Sequence, residues 1–240
     1  MNALAALSAF ALLGALVWSA THPQTIRYSA PHAAAIEREQ YDAETDALAI
    51  ALQASSTPLG DAVLSQFAAR YQELVSQGDV SSSTAASAAD IMPEVSYKTY
   101  STADVATDPD VSLQRVIRYR SDLRLALMPL LNSTTPEFEI YARYVDTRNE
   151  THLDRLKAVA ADYRVAIAQT LKVKAPRDAS ARHLAILDAM SRFAATLDAL
   201  ADNAKDPIAS VALLRAYNEA ERSMFTSFDA LGRYAAAKAL

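Results

Sequence analysis

The chain has 240 residues, no cysteine, only four glycines and a net charge of −5 at pH 7. The lack of cysteine excludes disulfides, thiol nucleophiles and thiolate-bound metals, and the acidic balance argues against a nucleic-acid-binding protein. Alanine is abundant and glycine scarce, and because alanine is the best helix former the composition predicts an all-α fold.

The first twenty residues carry no charged side chain, and residues 3–20 form an apolar run. A helix of this length approaches the roughly 20 residues needed to cross a bilayer. Trp18 suits the membrane interface, because its ring is apolar while its N–H is polar. Residues 1–20 are therefore predicted to form a transmembrane anchor, with a cleaved secretory signal as the alternative.

The orientation of this anchor is predicted from the charges around it. Arg27 and Arg38 follow the run and no Lys or Arg precedes it, which by the positive-inside rule favours a cytoplasmic C-terminal domain. A hydrophobic segment ahead of a long folded domain is, however, the usual layout of an exported protein. We therefore expect the folded domain to be extracytoplasmic.

The next two segments are a polar juxtamembrane linker over 21–30 and a two-helix segment over 31–78. Pro31 and Pro58 can each occupy the first position of a helix, where the missing N–H of proline costs nothing. The helix that begins at Pro58 is predicted to run to about Gln77, next to a glycine that terminates helices well.

Residues 79–108 are predicted to form a flexible linker or arm. Its first part, 79–90, is rich in Ser and Ala and has little side-chain volume to bury. The tract Val95–Tyr100 favours β structure, so this part is read as an extended arm, a short strand or a loop.

Residues 109–240 are predicted to form an antiparallel four-helix bundle. Three of its helices begin where a capping side chain, Asp108, Thr135 or Asp206, precedes a proline. Large apolar residues then recur at three- and four-residue steps, the pattern that packed helices bury together. Pro129 is expected to kink or end the first helix. The predicted helices are Pro109–Leu131, Pro136–Leu171, Pro176–Asn203 and Pro207–Lys238.

The apolar stripe of the second predicted helix is interrupted by polar residues. Continuing the helix through the interruption places Arg148 and His152 on or beside its buried face, flanked by Asp146 and Glu150. This patch is the best candidate for a ligand site between helices. The alternatives are a solvated surface, side chains that reach the rim, or a helix that projects as a coiled-coil hairpin.

Motifs for catalysis and cofactors are missing from the sequence. No histidine follows a glutamate by three residues, as in di-iron bundles, and no glycine-rich phosphate loop or Gly-x-Ser-x-Gly element occurs. We therefore predict no catalytic, metal or cofactor residue, and expect His183 at a helix start or on the surface. Most of the eleven tyrosines fall in predicted helices, where they are expected to close the edges of an alanine-rich core.

The sequence thus predicts a membrane-anchored, non-enzymatic structural or protein-interaction protein of the cell envelope. Its partners would be the membrane, through the N-terminal helix, and a protein or a second copy of the chain, but no nucleic acid. The alternative function is a ligand-binding sensor or carrier bundle with its site near Arg148 and His152, for a small molecule that the sequence does not specify.

Overall fold

The computed structural model describes residues 57–76, 91–131 and 133–239. These residues form a helical, bundle-like fold, so the predicted all-α class is confirmed. The helices are α1 (Pro58–Ser76), α2 (Leu113–Ala126), α3 (Glu137–Thr147), α4 (Thr151–Thr170), α5 (Ser180–Asp202) and α6 (Pro207–Ala237). Two-residue strands, β1 (Thr107–Asp108) and β2 (Ala175–Pro176), pair in parallel, and short 3-10 turns span Met128–Leu131 and Arg177–Ala179.

Several predicted segments lie outside the described residues. They are the anchor over 1–20, the linker over 21–30, the first helix of the 31–78 segment and the Ser/Ala-rich stretch 79–90. Within the part of the chain that is described, no helix combines the length and apolarity needed to cross a bilayer.

The described residues divide into two compact units, and one of the boundaries between them falls inside the predicted 79–108 linker. Of the described residues, the first unit contains 57–76, 91–93 and Lys205–Ala212, and the second contains those from Glu94 to Ala204 and from Leu213 to 239. In the first unit α1 spans Pro58–Ser76, as its proline predicted. Val63 and Leu64 of α1 pack with Ile208 and Ala212 of α6 in a small apolar core.

A single buried carboxylate joins two helix starts in the first unit. One oxygen of Asp206 accepts from the N–H groups of Ile208 and Ala209 at 2.9 and 3.0 Å, which caps α6. The other accepts from the N–H and hydroxyl of Thr57 at 3.0 and 2.8 Å. The Thr57 hydroxyl in turn accepts from the N–H of Gly60 at 3.1 Å and caps α1.

In the second unit α5 is the most deeply packed helix, with twelve buried residues that cover more than half of its circumference. It runs antiparallel to α4, as three contacts show. Tyr163 stacks on Phe193 with ring centroids 5.0 Å apart, Arg164 pairs with Asp198, and Lys157 pairs with Asp202 at 2.7 Å. Lys157, in the first half of α4, thus meets the C-terminal end of α5, whereas Tyr163 and Arg164 further along α4 meet earlier positions of α5.

The predicted start of α2 at Pro109 is wrong. The helix begins four residues later at Leu113, where the Ser112 hydroxyl accepts from the N–H of Arg115 at 3.3 Å. Asp108 does not cap the helix, because its backbone belongs to β1 and its side chain turns to Asp110 and Arg115. The helix ends at Ala126, before Pro129, as predicted.

The single helix predicted over Pro136–Leu171 is also wrong, because the chain breaks it into α3 and α4. Arg148 ends α3 in the left-handed conformation, with φ 56° and ψ 19°. The side-chain oxygen of Asn149 then accepts from the N–H and hydroxyl of Thr151 at 3.1 and 2.9 Å, which starts α4. Polar side chains therefore build a helix boundary here without glycine or proline.

The starts predicted at Pro136 and Pro207 are confirmed, since α3 begins at Glu137 and α6 at Pro207. The start predicted at Pro176 is displaced, because β2 and a 3-10 turn come first and α5 begins at Ser180.

Tyrosines close the core as predicted, and three donate to carboxylates at its edge: Tyr163 to Glu137, Tyr217 to Glu221 and Tyr234 to Asp178, at 3.1, 3.2 and 2.6 Å.

Candidate functional site

Arg115 anchors α2 to the pair of short strands. Its side chain is 10% exposed and its Nε donates to Asp108 at 2.9 Å, while its guanidinium also donates to the carbonyl of Lys174. The N–H of Asp110 and the Arg115 guanidinium hold the pKa of Asp108 below its ordinary value. This ion pair is partly shielded from solvent and therefore fixes the orientation of α2 in the second unit.

The solvent side of α2 is both apolar and basic. Leu113, Ile117, Arg120 and Arg124 follow steps of four, three and four residues and so share one side of the helix. Leu113 is 43% exposed and Ile117 50%, which is high for large aliphatic side chains. We use the name α2 face for these four residues together with the neighbouring exposed Leu125, about 100° further round the helix, and Met128 of the turn that follows.

The α2 face concentrates the exposed apolar residues of the molecule. Of the eleven large apolar side chains exposed among the described residues, six lie between Val111 and Leu131. The helix carries four arginines against one aspartate, although the whole chain is acidic. Arg118, Arg120 and Arg124 are exposed and form no ion pair with another described residue.

Two open depressions of about 410 Å³ each lie along α2 and share Asp122, and Leu125 is the residue of the α2 face that lines one of them. The first is lined by polar and charged side chains, including Asp108, Arg118 and Ser121. The second is more apolar and includes Leu125 and Val173. Together they offer a groove of mixed charge next to exposed aliphatic residues.

The buried side of α2 carries a polar contact to the core. The hydroxyl of Tyr119 lies 3.0 Å from Nδ1 of His183, and neither side chain has exposed surface. Burial raises the pKa of Tyr119, and burial lowers the pKa of His183 although the nearby backbone of Thr170 opposes the shift. Nε2 of His183 and the buried hydroxyl of Thr170 meet no hydrogen-bonding partner among the described residues.

His183 was expected at a helix start or on the surface. It does lie in the first turn of α5, but its exposure is 0%, so the surface alternative is wrong. The helical period would have predicted this burial, since Leu187 and Met190 follow His183 at steps of four and three. Polar character alone favoured the surface.

The patch predicted around Arg148 lies at the boundary between α3 and α4. Asp146, Arg148 and Glu150 are exposed and His152 is half-buried, because the helix break turns this stretch outward. The guanidinium of Arg148 lies 5.8 Å from the centre of the Tyr144 ring. The structure thus groups these residues at a surface turn, and their role as a ligand site stays a prediction. Trp18, the predicted interface residue, lies outside the described residues.

Comparison with known proteins assigns the chain to no family: no family model, curated protein or solved structure matches it.

The sequence motifs did not predict the α2 face. A signal for it exists in the sequence, since four arginines alternate with Leu and Ile between 113 and 126 in an otherwise acidic chain.

Proposed function

We propose that this chain is a membrane-anchored interaction protein of the cell envelope, whose α2 face docks a partner protein. The supporting observation is the concentration of exposed aliphatic side chains among arginines that form no ion pair within the described part of the chain. Isolated exposed apolar residues are ordinary, whereas a contiguous patch of them marks an interaction surface. Arginine is also enriched at protein interfaces, because its planar fork binds carboxylates and its stem packs on apolar groups.

The chemistry of the face favours a protein with acidic and apolar residues. Leu113, Ile117 and Leu125 suit an apolar anchor, and Arg120 and Arg124 suit carboxylates around it. Asp108 and Asp122 line the adjacent groove and would repel both phosphates and an anionic lipid surface. A partner with mixed charge complements this arrangement better than a polyanion.

The anchor in this proposal is the apolar N-terminal run, which would act as a transmembrane helix ahead of an antiparallel helical bundle. Tethering would confine the bundle close to the membrane and raise its effective concentration for partners there. On this proposal the bundle is extracytoplasmic and non-enzymatic, and α2 is its working surface.

The test is photocrosslinking of the full-length chain in the membranes of its own cells. A photoreactive amino acid replaces Ile117 on the α2 face, or Val165 on α4 as a matched control. Val165 is 47% exposed, close to the 50% of Ile117, and it too is aliphatic and within a helix. We expect a discrete protein adduct from position 117 and only background from position 165.

Charge variants identify the chemistry of the partner. The double change Arg120→Glu and Arg124→Glu should lower the adduct at position 117 by about tenfold, because two attractive contacts become repulsive. The change of both to Gln should have a smaller effect. Equal adducts at positions 117 and 165 would contradict the proposal, as would an adduct with lipid or with a second copy of the chain.

A further inference from the structure

We propose that mild acid releases α2 from the bundle, and that the proton responsible binds to His183. The inference concerns regulation of the α2 face and in that respect rests on the proposed function. It is carried by the burial of His183, its hydrogen bond to α2 and the missing partner at Nε2.

His183 can form one good hydrogen bond in its site, and that bond holds α2. A neutral imidazole has one donor and one acceptor, so the Tyr119 hydroxyl can satisfy Nδ1 in either tautomer. The imidazolium has two donors, and its Nε2–H would point at no acceptor in hydrogen-bonding geometry. Protonation would therefore bury both a charge and an unsatisfied donor.

The elements packed around His183 do not supply a compensating anion. From α4 it faces Thr170, which is uncharged and whose backbone favours the imidazolium less than burial disfavours it. From α2 it faces Tyr119, one turn after the cation Arg115. Asp178, in the 3-10 turn that precedes α5, is already engaged by Tyr234 of α6 at 2.6 Å and by Lys238 at 2.8 Å. Arg182, adjacent in the chain, lies over the Tyr234 ring at 5.0 Å and adds positive charge.

Among α2, α4 and α5, the three helices that meet at this site, α2 is the one least held by buried side chains. It buries four residues, whereas α4 buries eight and α5 buries twelve. Local opening follows the element with the fewest buried contacts. Once α2 moves away, water can reach the His183 ring and solvate the imidazolium.

The direction of the pH effect follows from linkage. Burial holds the pKa of His183 below 6.5, so the open state binds the proton more tightly than the closed state. The closed state is therefore fully favoured above pH 6.5 and loses stability as the pH falls below that value. Asp104, Asp108, Asp110 and Asp178 all have pKa values lowered from 3.8, so their protonation destabilises the fold only in stronger acid.

The experiment is amide hydrogen exchange of the full-length chain in uncharged detergent at pH 7.5 and 5.5. Labelling times are scaled to the intrinsic exchange rate at each pH, and peptides from 113–126 are compared with peptides from 186–200. We expect protection in α2 to fall at pH 5.5 by up to about tenfold, because the open state binds a proton with its ordinary pKa of 6.5 and the closed state binds it more weakly. Protection in α5 should change much less.

Two variants test whether His183 is the residue that binds the proton. His183→Gln keeps a polar group beside Tyr119 but does not titrate, so its α2 protection should be the same at both pH values. His152→Gln, at the half-buried histidine of α4, should retain the wild-type response. A His183→Gln variant that still opens in acid, or a wild-type α2 that stays protected, would overturn the inference.

A measurement on the unaltered chain covers the case in which His183→Gln does not fold. With labelled histidine, NMR should show that the His183 ring stays neutral while α2 is protected and becomes charged together with α2 opening. A ring that titrates near pH 6.5 inside a fully protected α2 would refute the mechanism. Because no partner is present, these results stand apart from the crosslinking test, whose failure at neutral pH would refute only the docking role.

Discussion

The two units each bury a titratable side chain completely, and they treat it in opposite ways. Asp206 in the first unit receives hydrogen bonds from Thr57, Ile208 and Ala209, so both of its oxygens are engaged at two helix starts. His183 in the second unit has Tyr119 on one nitrogen and no partner among the described residues on the other. The contrast teaches that burial alone does not assign a role, because the number of satisfied atoms separates a structural group from a labile one.

The largest effect should come from Asp206→Ala. The change removes the cap of α6 and the acceptor for Thr57 at the start of α1, and each helix cap contributes about 1 kcal/mol, up to 2. With the donors left unpaired in a buried site, we expect a loss of about 2 to 4 kcal/mol in the free energy of unfolding. Urea denaturation followed by circular dichroism measures it.

Asp206→Asn is the matched control for this change. An amide oxygen can still accept from Ile208 and Ala209, but an amide NH₂ cannot accept from Thr57. The free energy of unfolding of Asp206→Asn should therefore lie between the values of the wild type and of Asp206→Ala. If the two variants unfold at the same urea concentration, the link to Thr57 adds no stability and the comparison between the units loses its basis.

An intermediate effect should come from the Tyr119–His183 pair. Tyr119→Phe leaves Nδ1 unpaired and His183→Leu leaves the Tyr119 hydroxyl unpaired, and each should cost about 1 to 3 kcal/mol. The double variant replaces both groups by apolar ones and should cost less than the sum by about 1 kcal/mol or more. Denaturation of the four proteins completes the cycle.

Tyr163→Phe provides the reference for removing a buried tyrosine hydroxyl. Its partner Glu137 is half-buried and can turn to water when the hydroxyl is lost, so this variant should lose less stability than Tyr119→Phe. Additive losses in the Tyr119–His183 cycle would mean that the two groups are not coupled, and α2 would then have no polar link to the core.

Sequence patterns located those helix boundaries that local chemistry sets. Pro207 marks a start correctly, because the preceding Asp206 caps the helix and proline fits its first position. Pro136 marks a start to within one residue, but it occupies the N-cap position itself, so Thr135 does not cap α3. The capping role predicted for Asp108 was wrong, because its backbone lies in β1 opposite Pro176, which is far away along the chain. The break after Arg148 was missed because a non-glycine residue occupies the left-handed region, which helical periodicity does not detect.

The candidate sites could likewise not be predicted in full, because contacts between distant parts of the chain determine them. Periodicity could have placed His183 in the core beside Leu187 and Met190, but its pairing with Tyr119 depends on how α2 packs. The exposure of Leu113 and Ile117 likewise depends on which side of α2 the fold buries. Sequence supplies the residue types of a surface, whereas packing decides which of them remain exposed.

The smallest effect, and the sharpest comparison, concerns two threonines with 0% exposure in adjacent helices. The hydroxyl of Thr196 donates to the carbonyl of Arg192 at 2.8 Å, whereas that of Thr170 meets no partner among the described residues. Thr170→Val removes an unsatisfied polar group and should leave stability unchanged or raise it by about 0.5 to 1 kcal/mol. Thr196→Val removes a hydrogen bond and should lower stability by about 0.5 to 1.5 kcal/mol.

The two changes are matched in volume, chemistry and burial. Opposite changes in the free energy of unfolding, measured by urea denaturation, would therefore identify hydrogen-bond satisfaction as the cause. Equal losses would mean that the Thr170 hydroxyl is already satisfied, and the site around His183 would then be able to hold a proton without opening.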